Sequence, residues 1–198
     1  MTGLADGYHP VSPGKLASVV TSLEMRARAP ARPEPVDLGL TLRRVPAPSA
    51  EWYSALYGRM GRDWLWFARL SMSEAALLAI IHDPKVGVFA LERDGAEVGL
   101  LELDFRKPGE AEIAYFAVAS ELQGGSAGRW LMNRALEIAW AEPIDRLWVH
   151  TCTLDHPAAL DFYRRSGFVP FRREIELADD PRLTGALPPG AAPQAPVL

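Results

Sequence analysis

Six small or polar residues in a row, Gln123-Gly124-Gly125-Ser126-Ala127-Gly128, are the stretch best fitted to do chemistry. A turn of this composition leaves its backbone N–H groups open, and a phosphate can approach them closely. The glycines do not run into the Gly-Lys-Ser/Thr ending of a P-loop, nor do they keep the Gly-x-Gly-x-x-Gly spacing of dinucleotide folds. An ordinary strand–turn–helix connection shares this composition, so the turn alone does not decide. Other reactive side chains read more blandly. His150 and Cys152 alternate around the end of an apolar run and would line core or cleft, while His9 and His82 lack partners at ligand spacing. The single cysteine, Cys152, rules out an internal disulfide and a cysteine-cluster metal site.

Whatever the turn does, neighbouring elements must hold it. Ile113 to Val118 is a strand-like apolar and aromatic run, and Arg129 to Ala141 places Leu131, Ala135, Leu136 and Ile138 near helical spacing. A strand feeding a small-residue turn that opens a helix brings the positive end of the helix dipole to the same spot. Upstream, 38–45 reads as a first strand, 49–60 and 71–81 as helices, and 85–92 and 98–105 as strands of a hairpin turning at Asp94-Gly95. Downstream, 146–151 reads as a buried strand. Then Asp155 or His156 can cap a helix that opens at Pro157 and stops at Gly167, and 168–177 alternates as a last strand. Ser12-Pro13, followed by Leu16, Val19, Val20 and Leu23 at helical spacing, predicts a short amphipathic helix to about Arg28. The chain thus divides into an N-terminal helix and proline-rich arm (1–37), a central domain (38–178) and a Pro/Gly/Ala-rich tail (179–198) expected to be mobile.

Two motifs carry a resemblance. The turn resembles the acetyl-CoA loop of the GNAT superfamily of N-acetyltransferases, Gln/Arg-x-x-Gly-x-Gly/Ala. Gln123 and Gly128 match, with Ser126 where the first glycine is usual. The stretch His156 to Phe168 is similar to the family's Asn-x-x-Ala-x-x-Leu-Tyr-x-x-x-Gly-Phe. Ala159, Tyr163, Gly167 and Phe168 match, while Phe162 replaces leucine and His156 replaces asparagine. The resemblance covers roughly 85–177. It implies an α/β (α+β) fold with a mixed, mostly antiparallel sheet and helices on both faces. It also implies transfer of an acetyl group from acetyl-CoA to a primary amine by direct attack in a ternary complex.

By that resemblance Glu112 takes the general-base position and Tyr163 the general-acid position beside the sulfur. Phe116, Ala117 and Val118 would meet the pantetheine arm and offer an oxyanion N–H. The pyrophosphate would rest on Gln123, Gly124, Gly125, Ser126, Ala127, Gly128 and Arg129, with His156 and Ala159 also on the cofactor. The acceptor is expected near the aromatic-rich connection, at Trp52, Asp63, Trp64 and Trp66. Tryptophan faces suit an apolar or cationic group, so a small amine or a peptide N-terminus fits better than a phosphorylated acceptor. Ser126 and His156, the two departures from the family's cofactor motifs, would suit the alternative, a non-catalytic acyl-CoA sensor on the same fold.

Composition bounds the rest. The chain has 198 residues, 48% apolar and 23% charged, enough for one domain with a core. A net charge of −4 argues against nucleic acid or an anionic membrane held by bulk charge. No apolar run approaches the roughly 20 residues of a membrane span. Neither a signal segment nor a metal site is indicated, and a cytoplasmic protein is the simplest expectation. The oligomeric state stays open, with a homodimer compatible.

Overall fold

The computed structural model describes residues 3–198. Seven strands and four α-helices follow one another as β1 (Lys15–Met25), β2 (Leu40–Arg44), α1 (Ala50–Gly61), α2 (Glu74–Ile81), β3 (Val86–Arg93), β4 (Ala96–Asp104), β5 (Glu110–Val118), α3 (Ala127–Ala139), β6 (Arg146–Cys152), α4 (Ala159–Arg165) and β7 (Val169–Asp179). They build one sheet in the order β2-β3-β4-β5-β6-β1-β7. Every pairing is antiparallel except β5 with β6. One face packs Leu103, Ile113, Leu147 and Val149 against α3 and α4; the other packs Val88, Ala90 and Leu100 against α1 and α2. The mixed sheet with helices on both faces is the expected one.

Local signals explain most boundaries. Ser49 and Ser73 cap α1 and α2, each side chain accepting from the N–H three residues on. The β3–β4 hairpin closes on Asp94 and Gly95, both at positive φ, the backbone a two-residue I′ turn requires. Gly167 ends α4 at φ +99, and Phe168 N–H reaches back to Tyr163 C=O at 3.1 Å. A side chain at Gly167 would also strike Ala29, its Cβ lying 2.6 Å from that methyl.

Three expectations change. The N-terminal helix is instead strand β1, which pairs with β7 from Lys15 to Glu24 and with β6 from Val20 to Met25. Its apolar spacing fits both periods, and pairing on two sides decides for the β-branched run Val19-Val20-Thr21. The sheet therefore begins at Lys15 rather than near residue 38. Neither Asp155 nor His156 is the N-cap of α4, which falls on Ala158 without a side-chain cap, because Asp155 is spent on Thr151 and Cys152. Finally, the tail expected to be mobile folds back. Leu187, Ala191 and Ala192 pack on Leu65. Arg182, buried with Asp180 at 2.7 Å, donates to the carbonyls of Ala191, Ala192 and Ala195, giving a chain without regular structure its polar partners. Among the described residues no helix is long and apolar enough to cross a membrane.

Candidate active site

Strands β5 and β6 pair only from Glu110–Arg146 to Glu112–Trp148. Opposite β4, an extra residue at Ala114 shifts the register between Ile113 and Tyr115, a bulge that bends β5 away from β6. The parted strands leave a cavity of about 500 Å³ in the sheet. Gln123, Gly124, Gly125, Gly128 and Arg129 form one end of its wall, and Trp64 and Trp66 belong to the other.

On the turn side, the first bond of α3 runs from Trp130 N–H to Ser126 C=O at 2.9 Å. The N–H groups of Ala127, Gly128 and Arg129 therefore have no partner within the helix, and Ser126 supplies no side-chain cap. Gly124, at φ +74, turns the chain into this end, and no Cβ stands in the approach at Gly124. Arg129 Nε is buried without a hydrogen-bond partner. An anion fits these donors. Ser126 and Ala127 do not line the cavity: the serine hydroxyl accepts from Arg129 at 2.8 Å, and Ala127 is in the core. Along the opened edge, Ala119 N–H donates back to Val98 at 2.8 Å, so by strand alternation the N–H groups of Phe116 and Val118 point into the gap. Gln123 reaches Val118 C=O at 3.5 Å, and Phe116, Ala117, Val118, His156 and Ala159 all reach the cavity.

Tyr163 is buried in the cavity wall among Phe116, Phe162 and Phe168, with ring centroids 5.5–6.3 Å away. Its hydroxyl has no protein partner among the described residues. Burial, with a lesser push from the Asp155 carboxylate, raises its pKa, so the phenol keeps its proton. Glu112 is not itself a cavity residue. Between it and the cavity stands His150, whose Nδ1 lies 3.4 Å from Glu112 Oε1. The hydrogen bond to that carboxylate raises the pKa of His150, outweighing its partial desolvation. From the sequence His150 is a lining residue and Glu112 the reacting group; the structure brings the two together because each belongs to one of the two strands that part here.

The aromatic connection divides. Trp66 packs on Tyr57 and Tyr115 at 5.5 and 5.1 Å and donates from Nε1 to Asp155 at 3.2 Å. Trp64 meets the His156 ring at 5.2 Å. Gly61 permits the loop, because a Cβ there would sit 2.3 Å from Trp66. Trp52 and Asp63 do not join them. Trp52 faces the hairpin and donates to Glu97 at 2.7 Å, while Asp63 is exposed and offers its backbone C=O to Gln194. Beneath the loop lies a pairing that spacing along the chain does not reveal: Glu102, fully buried, pairs with Arg69 at 2.6 Å and accepts from the Tyr53 hydroxyl. Burial pulls the Arg69 pKa down, but Glu102 outweighs it and the guanidinium stays charged. Removing one partner from such a pair costs ~3–5 kcal/mol, which fixes Arg69 as the anchor of the aromatic loop.

Residues 50–168 match the acetyltransferase (GNAT) family. None of the curated proteins matches the chain. Among solved structures, a GCN5-related N-acetyltransferase from Sphaerobacter thermophilus superposes with a TM-score of 0.61 at 15% identity, over 82% of this chain and 52% of that one. A functionally unknown conserved protein from Staphylococcus epidermidis gives 0.57 at 14% identity, over 84% and 64%. An aminoglycoside acetyltransferase from an uncultured soil metagenomic sample gives 0.54 at 19% identity, over 67% and 90%. This chain thus spans less than two thirds of the first two proteins, and at these identities the likeness speaks for the fold.

Proposed function

The chain belongs to the acetyltransferase (GNAT) family, and from that membership we propose that it moves an acetyl group from acetyl-CoA to a primary amine by direct attack. One observation carries the reading: a single cavity in the gap between β5 and β6 joins the anion-binding turn to the aromatic loop, with Tyr163 and His150 both on its wall. Donor and acceptor can meet there without a covalent relay. Cys152, the one thiol, is held protonated by burial and has no base on it, so it is a poor nucleophile.

Acetyl-CoA, when bound, supplies the thioester. Gln123, Gly124, Gly125, Gly128 and Arg129 would hold its pyrophosphate, and Phe116 or Val118 N–H would receive the carbonyl oxygen as it gains charge. His150 accepts the proton the amine sheds as its C–N bond forms, and Glu112 behind it steadies the imidazolium. Tyr163 hands its proton to the sulfur as the C–S bond breaks and regains one from solvent. The base role thus falls to a His150–Glu112 pair rather than to Glu112 alone.

For the acceptor, Trp64, Trp66, Tyr57 and Tyr115 favour a small apolar or aromatic amine, or a peptide N-terminus. The aminoglycoside acetyltransferase among the structural neighbours supports an amine. The test is thiol release from acetyl-CoA across amines, amino acids and peptides, repeated with Trp64→Leu. Turnover with a rise in acceptor KM alone in the variant supports the assignment. Tight acetyl-CoA binding without turnover on any amine would leave the non-catalytic sensor instead.

A further inference from the structure

Three arginines gather at the turn end of the cavity from three separate elements: Arg32 from the proline-rich arm, Arg129 from the first turn of α3 and Arg165 from the last turn of α4. Among the described residues none of the three forms an ion pair, although most charged groups nearby do. Partial burial, and after it the charges of Arg129 and Arg165, lower the pKa of Arg32. Like charges brought together without a counter-ion repel, so something else must hold them.

What holds Arg32 is visible. Asn133 stands one turn after Arg129 on the same helix face. Its Oδ1 accepts from Arg32 N–H at 3.0 Å and its Nδ2 donates to Arg32 C=O at 2.8 Å, so one buried amide grips both backbone groups. The same Nδ2 reaches Glu34 at 2.7 Å, and Arg134 pairs with that carboxylate. Ala29 packs into the core beside Gly167, fixing the arm where it leaves β1. Glu34 is turned to Arg134 and away from the arginine trio, so the arm brings a cation to the cavity and keeps its anion elsewhere.

Resting on the acyl-CoA reading above, we propose that the proline-rich arm is part of the donor site: Arg32, pinned by Asn133 beside Arg129 and Arg165, closes a three-guanidinium clamp on a phosphate group of CoA. Guanidinium forks match phosphate oxygens in number and geometry, and each added pairing is charge-assisted.

Calorimetry with CoA and with 3′-dephospho-CoA tests this on the whole chain, using Arg32→Gln, Asn133→Ala and the double variant, with melting temperatures taken alongside. Arg32→Gln should weaken CoA at least tenfold, steepen no melting loss, and leave the unliganded protein as stable as before. Retention of that loss with 3′-dephospho-CoA assigns the pyrophosphate to the clamp; its disappearance assigns the ribose phosphate. Asn133→Ala should release the arm and reproduce the loss, with little further effect when combined with Arg32→Gln. Wild-type affinity in the Arg32→Gln variant, or full additivity in the double variant, overturns the clamp while leaving the acyl-CoA reading intact. A wild-type protein that binds neither nucleotide overturns both.

Discussion

The Tyr163 ring is held by three aromatic rings, and among the described residues its hydroxyl has no hydrogen-bond partner, so its phenol oxygen can be removed without disturbing the packing that positions it. Tyr163→Phe should leave CoA affinity and melting temperature nearly unchanged and lower kcat by ~10²–10⁴-fold, the usual worth of a positioned acid. Undiminished turnover would make the ring a core residue only. The His150–Glu112 pair makes a sharper forecast. A base must be neutral to work, so a raised His150 pKa puts the acidic limb of the rate profile above the ordinary histidine value of about 6.5. Glu112→Gln deletes the anion that raises it and should move the limb to lower pH; His150→Gln should abolish the limb. If instead Glu112→Gln abolishes it, the carboxylate is the base itself. At this scale the sequence was informative where a motif fixed a residue against a helix end, as for Tyr163. It was silent on His150, because a neighbour across two parting strands leaves no mark on spacing along the chain.

Among elements, the strand–turn–helix from β5 to α3 was the most legible, since apolar alternation, small residues and helical periodicity follow one another without overlap. Its central glycine tests it. The Gly128 Cβ position is 3.7 Å from Phe162, ordinary contact, so a side chain there is tolerated by the fold. Gly128→Asp should therefore stay folded while a carboxylate at the open helix N-terminus weakens CoA binding at least tenfold, about 1.4 kcal/mol. Unchanged affinity would remove the phosphate site from this turn. β1 was the least legible: Leu16, Val19, Val20 and Leu23 satisfy helical spacing, and only the strands that flank it reveal the other period. The aromatic loop lay between, with Trp64 and Trp66 turned inward by Gly61 and the left-handed Leu65, a backbone path that residue types alone do not declare.

In the molecule as a whole, the tail is the part composition misjudged. Pro, Gly and Ala suggest a mobile chain when no partner is in view, but Arg182 and Asn133 each satisfy several backbone groups at once and order such segments without helix or sheet. The sheet order has a consequence in time. β6 and β7 do not pair with each other; β1 lies between them as their shared neighbour, so this strand must wait for contacts more than a hundred residues downstream. Pairings of that sequence separation form slowly, because loop closure precedes its reward. During refolding, pulse-labelled amides of Val86–Asp104 should gain protection before those of Lys15–Met25, and early protection of the latter would contradict this order. Until β1 docks, its apolar run is an unpaired edge open to other chains. The protein is thus most exposed to aggregation in the interval between making its first strand and its last, and a chaperone that shields residues 15–25 through that interval would raise the yield of folded chains without touching the final structure.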